Sequence, residues 1–276
     1  MIYDVKPLEN ELEQELRDLR EHVKSQPELT LIVGDNDLND DDRAYIRSIE
    51  KIMKKFDISI KTVRQLTKDN LDIPKITSPF IKIKSNLYTE HLPAILDLDG
   101  SEYISSGLLF TDSSLPHNSP CTAEAIMTIL HDIEERYFHN FKHQGVSVYG
   151  RGKVGLPTAL LMTRDDRTVT VFHSKSNRNK FYGGLWNDVL VFATGHRDIV
   201  NKDDIIGDDI VDFPYPSIII DAGINVDEDG KIVGDVNPDV CKKAKDYLDI
   251  VITPVPGGVG RITPLILVKH ILTAYK

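Results

Sequence analysis

Between Val146 and Pro157 the chain reads VSVYGRGKVGLP, a G-x-G-x-x-G run preceded by a β-branched stretch and followed by a helix-forming one. In that context Gly150 permits a tight turn and Gly152 lets a pyrophosphate approach the backbone. Gly155 opens a helix whose free N–H groups and positive dipole end favour phosphate. A bare glycine run is also met in plain structural turns; the flanking strand and helix are what favour the dinucleotide reading. In NAD binders the next strand ends, about 20 residues on, in an acid that bonds the ribose 2′-hydroxyl. Here the next strand, TVTVF at 168–172, is followed by His173, Ser174 and Lys175, with Arg178 and Lys180 close behind. A hydroxyl and cations there, with Arg151 on the turn itself, suit a 2′-phosphate, so NADP is preferred and NAD is the alternative. The competing account of these cations is a solvated loop.

Such a turn needs a parallel sheet to hold it, and the second half of the chain supplies the strands. Runs at 146–149, 168–172, 189–193 and 217–221 are short and apolar, and 250–253 is a further candidate. The runs at 189–193 and 217–221 end in turns, Thr194-Gly195-His196 and Ala222-Gly223-Ile224-Asn225, which places Thr194, Gly195, Gly223 and Ile224 with the cofactor. With helices expected at 122–141 and 156–163, this half reads as a doubly wound nucleotide-binding domain. The first half alternates too. Leu8, Leu12, Leu16, Leu19 and Val23 make one helical stripe, and a second helix runs over 42–56 with Tyr45, Ile49, Ile52 or Met53, and Phe56 on one face. Strands are expected at 29–33, 58–63 and 79–83, giving an α/β domain. The stretch 105–120, rich in Ser, Gly and Pro, is the linker candidate.

Composition excludes other classes. The 276 residues are 41% hydrophobic and 28% charged with two cysteines, which leaves out disorder, collagen-like repeats and a disulfide scaffold. With 33 Lys+Arg against 43 Asp+Glu the net charge is −10. That balance argues against nucleic-acid or membrane-surface binding, whereas a small anionic ligand needs only a local positive site. The longest apolar run, 189–193, is far short of the ~18 residues that span a bilayer. The acidic, helical N-terminus lacks an apolar signal region, and Cys121 and Cys241 form no CxxC pair, so a reducing cytoplasm is expected.

Four segments resemble one family. They are Pro120-Cys121-Thr122, His173-Ser174-Lys175, IDAGIN at 220–225 with DGKIVGDV at 229–236, and TPVPGGVG at 253–260. Together they look like the methylenetetrahydrofolate dehydrogenase/methenyltetrahydrofolate cyclohydrolase family, the bifunctional FolD type, strongly from about residue 120 onward and more weakly before it. The resemblance implies an α/β folate domain (1–118 with 261–276) and a Rossmann-like NAD(P)-binding domain (119–260), the C-terminal helix packing back on the first. It also implies a homodimer with folate in the cleft between domains. The chemistry implied is hydride transfer from the methylene carbon bridging N5 and N10 of the folate to C4 of the nicotinamide. The resulting cation is stabilised by the folate nitrogens, so positioning matters more than strong acid or base. The second activity, hydrolysis of the methenyl product, needs proton transfer, which the family centres on a helix tyrosine and a lysine four residues later. A strand glutamine and the aspartate of a DVDG-like turn assist.

Carried onto this chain, the resemblance makes Tyr45 and Asp99 both catalytic and substrate-binding candidates, and adds Pro256, Gly257 and Gly258 to the substrate site. Asp99 lies in Asp97-Leu98-Asp99-Gly100, where its carboxylate can accept two hydrogen bonds from a pterin ring; a simple Asp-Gly turn is the other account. The motif lysine is missing, since Ile49 stands four residues after Tyr45, and Lys51 falls about 240° round the helix. In the stretch FIKIKSN the register adopted puts Lys84 at the glutamine position. Either the cation has moved to Lys84, or Lys84 is a surface residue, the cyclohydrolase is lost and Ile49 fills the space; the second is preferred. At the cofactor end, Gly152 replaces the family's serine with a one-residue contraction. Arg261 stands where proline is usual, either to pair with a polyglutamate tail or as a surface change. Two alternatives to the enzyme stay open: a nucleotide-binding paralogue that has lost turnover, and a dehydrogenase for a different small substrate.

Metal binding is not expected. Asp35, Asp37 and Asn39 match a calcium loop, but Asp40 and Ile46 stand where glycine and glutamate are required. His139 and His143 have helical spacing without the glutamate of H-E-x-x-H.

Overall fold

Short Val/Ile/Leu runs become parallel strands when both faces are covered, because then neither face needs polar alternation. Both halves of this chain follow that rule. The computed structural model describes all residues except 35–37, 39, 66–75, 86–91, 101, 112–116, 141, 178–182, 201–216 and 244–249. The calcium-like cluster, Arg178 and Lys180 therefore lie outside the described residues. Two compact units result: Asn10–Cys121 with Pro264–Lys276, and Met1–Glu9 with Thr122–Thr263.

The first unit holds strands β1 (Glu28–Gly34), β2 (Ser59–Gln65) and β3 (Phe80–Ile83) in the parallel order β2-β1-β3. Most of helix α1 (Lys6–His22), with α2 (Asp40–Lys55) and α3 (Tyr103–Phe110), belongs to it. On α2 the buried face is Ile49, Met53 and, just past its end, Phe56, while Ile52 is only half-buried and Tyr45 is 37% exposed. The 105–120 stretch is not a linker along its length. Its first third lies in α3, where Leu109 is buried. Of the serines that suggested a loop, Ser106 is satisfied locally, its Oγ donating to the Gly100 carbonyl at 3.2 Å. Asn118, further on, donates Nδ2 to the carbonyls of Ile95 at 2.9 Å and Asp97 at 3.1 Å.

The second unit is a five-stranded parallel sheet in the order β10-β7-β6-β4-β5. Its strands are β4 (Gly145–Tyr149), β5 (Thr168–Phe172), β6 (Val189–Phe192), β7 (Ile218–Asp221) and β10 (Val251–Ile252). A two-stranded hairpin, β8 (Asn225–Val226) with β9 (Ile232–Val233), follows β7. Helices α4 (Cys121–Phe138), α5 (Gly155–Arg164) and α6 (Pro238–Lys243) and the start of α7 (Val259–Ala274) complete it. Order reverses at β4, which has β5 on one side and β6 on the other, so the ligand crevice belongs at the carboxyl ends of β4 and β6. There Tyr149 stacks between Phe172 and Phe192, with centroids 5.0 and 4.7 Å away. The first residues join this sheet at its β10 edge. Tyr3 N–H donates to Ile252 O at 2.8 Å, and its hydroxyl donates to Asp132 Oδ2 at 2.6 Å.

One ion pair ties α4 to the start of β5. Arg167, whose side chain is fully buried, binds both Glu134 oxygens at 2.7 and 2.8 Å and donates to the His143 carbonyl at 2.7 Å. His143 places its ring nitrogen 3.3 Å from the same Glu134. Burial opposes the charge on Glu134, but hydrogen bonds from Arg167 and His143 outweigh it and pull the carboxyl down to about 2. Its stabilising contribution is therefore present above the ordinary value of 4.5 and lost as pH falls toward about 2. Arg167→Leu strands that carboxylate and is expected to cost about 3–5 kcal/mol of unfolding free energy in urea titrations at neutral pH. An unchanged midpoint would show that the pair contributes nothing net.

Candidate active site

In the second unit the glycine turn is shaped by what its neighbours leave room for. Gly150 follows β4 with φ +113°, and a Cβ there would lie 2.2 Å from the Ala193 carbonyl at the end of β6. A Cβ on Gly155 would meet the Gly150 carbonyl at 2.2 Å, so α5 starts against the turn itself. Both positions require glycine. At Gly152, by contrast, nothing lies within 4 Å of the added atom, which leaves the open approach a pyrophosphate needs. Arg151 is exposed beside it. At the end of β5, His173 accepts the Lys175 N–H on Nδ1 at 3.1 Å, forming a turn that leaves Ser174 and Lys175 exposed.

Two buried carboxylates hold the remaining strand ends. Asp235 Oδ2 accepts Thr194 N–H at 2.6 Å, Thr194 O–H at 2.9 Å and Gly195 N–H at 3.2 Å, while Oδ1 accepts Asn225 Nδ2 at 3.0 Å. Asp221 accepts N–H groups from Gly223 at 2.9 Å, Asp235 at 3.1 Å and Val236 at 3.0 Å. Its own N–H donates to Thr253 Oγ1 at 2.9 Å. The pair thus knits the loops carrying Thr194, Gly195, Gly223 and Ile224 to the end of β10. Pro256, Gly257 and Gly258 follow there, before α7. Burial pushes Asp221 up to about 6 despite those three donors.

In the first unit a second cluster forms around Asp97–Gly100, which runs beside β3 through a parallel bridge from Phe80 to Asp97. Asp97 Oδ2 accepts the Glu102 N–H at 2.8 Å and so starts α3. Asp99 Oδ1 accepts the Cys121 N–H at 3.0 Å. Burial pushes the Asp99 carboxyl up, opposed by that bond and reinforced by the Asp97 charge. Tyr45 is also raised, by burial and then by the Asp99 charge, which places the phenol and the carboxylate in one electrostatic neighbourhood.

The Tetrahydrofolate dehydrogenase/cyclohydrolase, NAD(P)-binding domain description matches residues 120–276. A Bifunctional protein FolD of Thermosipho africanus is 34% identical, covering 99% of this chain and 97% of that protein. The chain belongs to the tetrahydrofolate dehydrogenase/cyclohydrolase family. Two crystal structures share its fold: the bifunctional FolD enzyme from Campylobacter jejuni (TM-score 0.75, 23% identity, 100% and 98% coverage) and FolD from Trypanosoma brucei complexed with NADP and an inhibitor (TM-score 0.75, 24% identity, 100% and 97% coverage).

Within this family's pattern the structure gives each departure a physical setting. Ile49, at the place of the motif lysine, is 1% exposed and is core. Lys84 lies one residue beyond β3 with φ +47° and pairs with Asp42 at 2.6 Å. Asp42 is one helical turn before Tyr45, so this cation is held on the tyrosine's own helix. The strand itself carries Lys82, half-buried and ion-paired with Glu102. Arg261 pairs with Glu9 at 3.4 Å. Sequence reasoning passed over Asp42, Lys82 and Asp235. For Asp235 the signal was the GDV at 234–236; for the other two it was only a carboxylate and a lysine that meet through folding.

Asp235→Ala removes the acceptor of two loop N–H groups, so dinucleotide affinity is expected to fall about tenfold or more in calorimetric titration. An unchanged Kd would show that the loops hold without it. Asp221 binds its proton more tightly folded than unfolded. The stability it confers is complete below 3.8 and lost as pH rises through about 6. Asp221→Asn should flatten that part of the urea-stability profile.

Proposed function

We propose that this protein oxidises 5,10-methylenetetrahydrofolate to the methenyl form with NADP, as a step of one-carbon metabolism, and that its cyclohydrolase activity is reduced or lost. The observation that carries the reading is the Asp99 carboxylate, held at 3.0 Å by the Cys121 N–H, in a member of this family. A desolvated carboxylate held by one backbone N–H has lone pairs left for the ring N–H and amino group of a pterin. Hydride transfer asks little more of the protein than this positioning, because the folate nitrogens stabilise the cation. The nucleotide is assigned to the 150–155 turn. NADP is favoured over NAD because no acid ends β5, while Ser174, Lys175 and Arg151 stand exposed near the expected 2′-phosphate.

Hydrolysis is different, since water must be activated and a proton moved. Burial and the Asp99 charge keep Tyr45 a neutral phenol, and Ile49 supplies no positive charge to bring it down. One observation favours a second reading: the Lys84–Asp42 pair keeps an ammonium one helical turn from Tyr45, from where it could serve proton transfer. A homodimer belongs to the same proposal.

Absorbance at 340 nm should rise with methylenetetrahydrofolate and NADP, and more slowly with NAD. Asp99→Asn should lower kcat/KM for the folate about 10- to 100-fold. Nucleotide binding without any reduction would favour a non-catalytic paralogue. Methenyltetrahydrofolate hydrolysis should be weak in the wild type and unchanged in Lys84→Ala; loss of a measurable wild-type rate in that variant would instead establish Lys84 as the displaced cation.

A further inference from the structure

The Asp97–Gly100 turn is gripped from below by two buried side chains that the proposed reaction does not use. His270 lies on α7 among Leu267, Val268, Ile271 and Leu272, all buried, and is itself 5% exposed. Its Nδ1 is 2.8 Å from the Leu98 carbonyl. Cys121, 1% exposed, places Sγ 3.3 Å from the same oxygen, and its N–H is the donor to Asp99. The Sγ–Nδ1 distance of 3.6 Å invites a nucleophilic cysteine–histidine pair. The carbonyl decides against it. An acceptor oxygen 2.8 Å from Nδ1 requires that nitrogen to carry the proton, so it cannot take one from the thiol. Both side chains donate to Leu98, and their closeness follows from the shared acceptor.

Leu98 is the residue between the two aspartates, and it is further fixed by its N–H, which donates to Phe80 O at 3.1 Å. The N–H bond fixes the Asp97–Leu98 peptide and the carbonyl bonds fix the Leu98–Asp99 peptide, so the plane from which the Asp99 side chain departs is restrained on its carbonyl edge. We infer that His270, assisted by Cys121, is a positioning residue for folate recognition: it anchors the Leu98 carbonyl and thereby sets the direction of the Asp99 carboxylate. The C-terminal helix is thus tied to the chemistry of the site through one imidazole, and a histidine buried among leucines and isoleucines is kept there by the bond it makes.

This inference rests on the functional reading above, and kinetics of the full-length chain separate the two. His270→Ala should raise the KM for methylenetetrahydrofolate about five- to tenfold, the worth of a single hydrogen bond, and leave the KM for NADP unchanged. A merely structural histidine would instead lower apparent kcat through loss of folded enzyme and leave both KM values alone. His270→Asn offers an amide N–H near the place of Nδ1 and should recover most of the folate KM. If His270→Ala does not fold, Cys121→Ala against Cys121→Ser makes the same comparison on the second donor. A wild-type chain inert with the folate overturns the functional reading and the inference with it. An active wild type beside a folded His270→Ala variant of unchanged folate KM, or an Asn variant as impaired as the Ala one, overturns the inference alone.

Discussion

A carboxylate taken out of water must be met by hydrogen-bond donors, and in this chain main-chain N–H groups meet the ones that shape the candidate site. Asp97 receives Glu102, Asp99 receives Cys121, Asp221 receives three successive donors, and Asp235 receives Thr194 and Gly195. Each of these donors belongs to a loop or to the start of a helix. The loops are folded around the carboxylates, so site geometry and carboxylate burial are one constraint. It also explains why a protein of net charge −10 can present sites for anions: these acids are turned inward and their charge is spent on backbone dipoles.

The cations follow the same logic less completely. Arg151 and Lys175 are exposed beside the glycine turn, where a phosphate-bearing ligand would meet them. Lys84 and Arg261, for each of which the sequence left open a role at the folate end or a plain surface place, each have a carboxylate partner, Asp42 and Glu9. An ammonium already paired must leave one carboxylate to greet another. That makes Lys84 a poorer proton carrier than its place near Tyr45 alone would suggest, and Arg261 a weak receptor for a polyglutamate tail.

What was legible in the sequence was whatever depends on local period and local sterics. The glycine turn, the parallel strands and the absence of an acid after β5 could be read because each is a matter of a few adjacent residues. The family-specific stretches from residue 120 onward could be read because glycine and proline positions are fixed by backbone geometry. What could not be read was pairing over distance. Serines 105 and 106 looked like linker, yet the helix they lie in forms because Asp97 caps it and Leu109 has a core to enter. Met1–Glu9 gave no sign of joining the second unit, since that rests on Tyr3 finding Ile252 and Asp132. His270 looked like any polar residue on an apolar helix.

The two activities of this family place different demands on one tyrosine. Hydride transfer needs the folate held still, and under the proposed assignment a neutral phenol beside a carboxylate would do that as a donor and acceptor without changing its protonation. Water activation needs a group whose pKa lies near the working pH. A phenol is brought toward that range by a neighbouring positive charge and driven away from it by burial and by a neighbouring negative one. With Ile49 in the lysine's place, the influences on Tyr45, desolvation first and then Asp99 and Cys121, all raise its pKa. The proposed loss of hydrolysis without loss of hydride transfer rests on this contrast, because a buried isoleucine fills the volume that packing requires while contributing no charge.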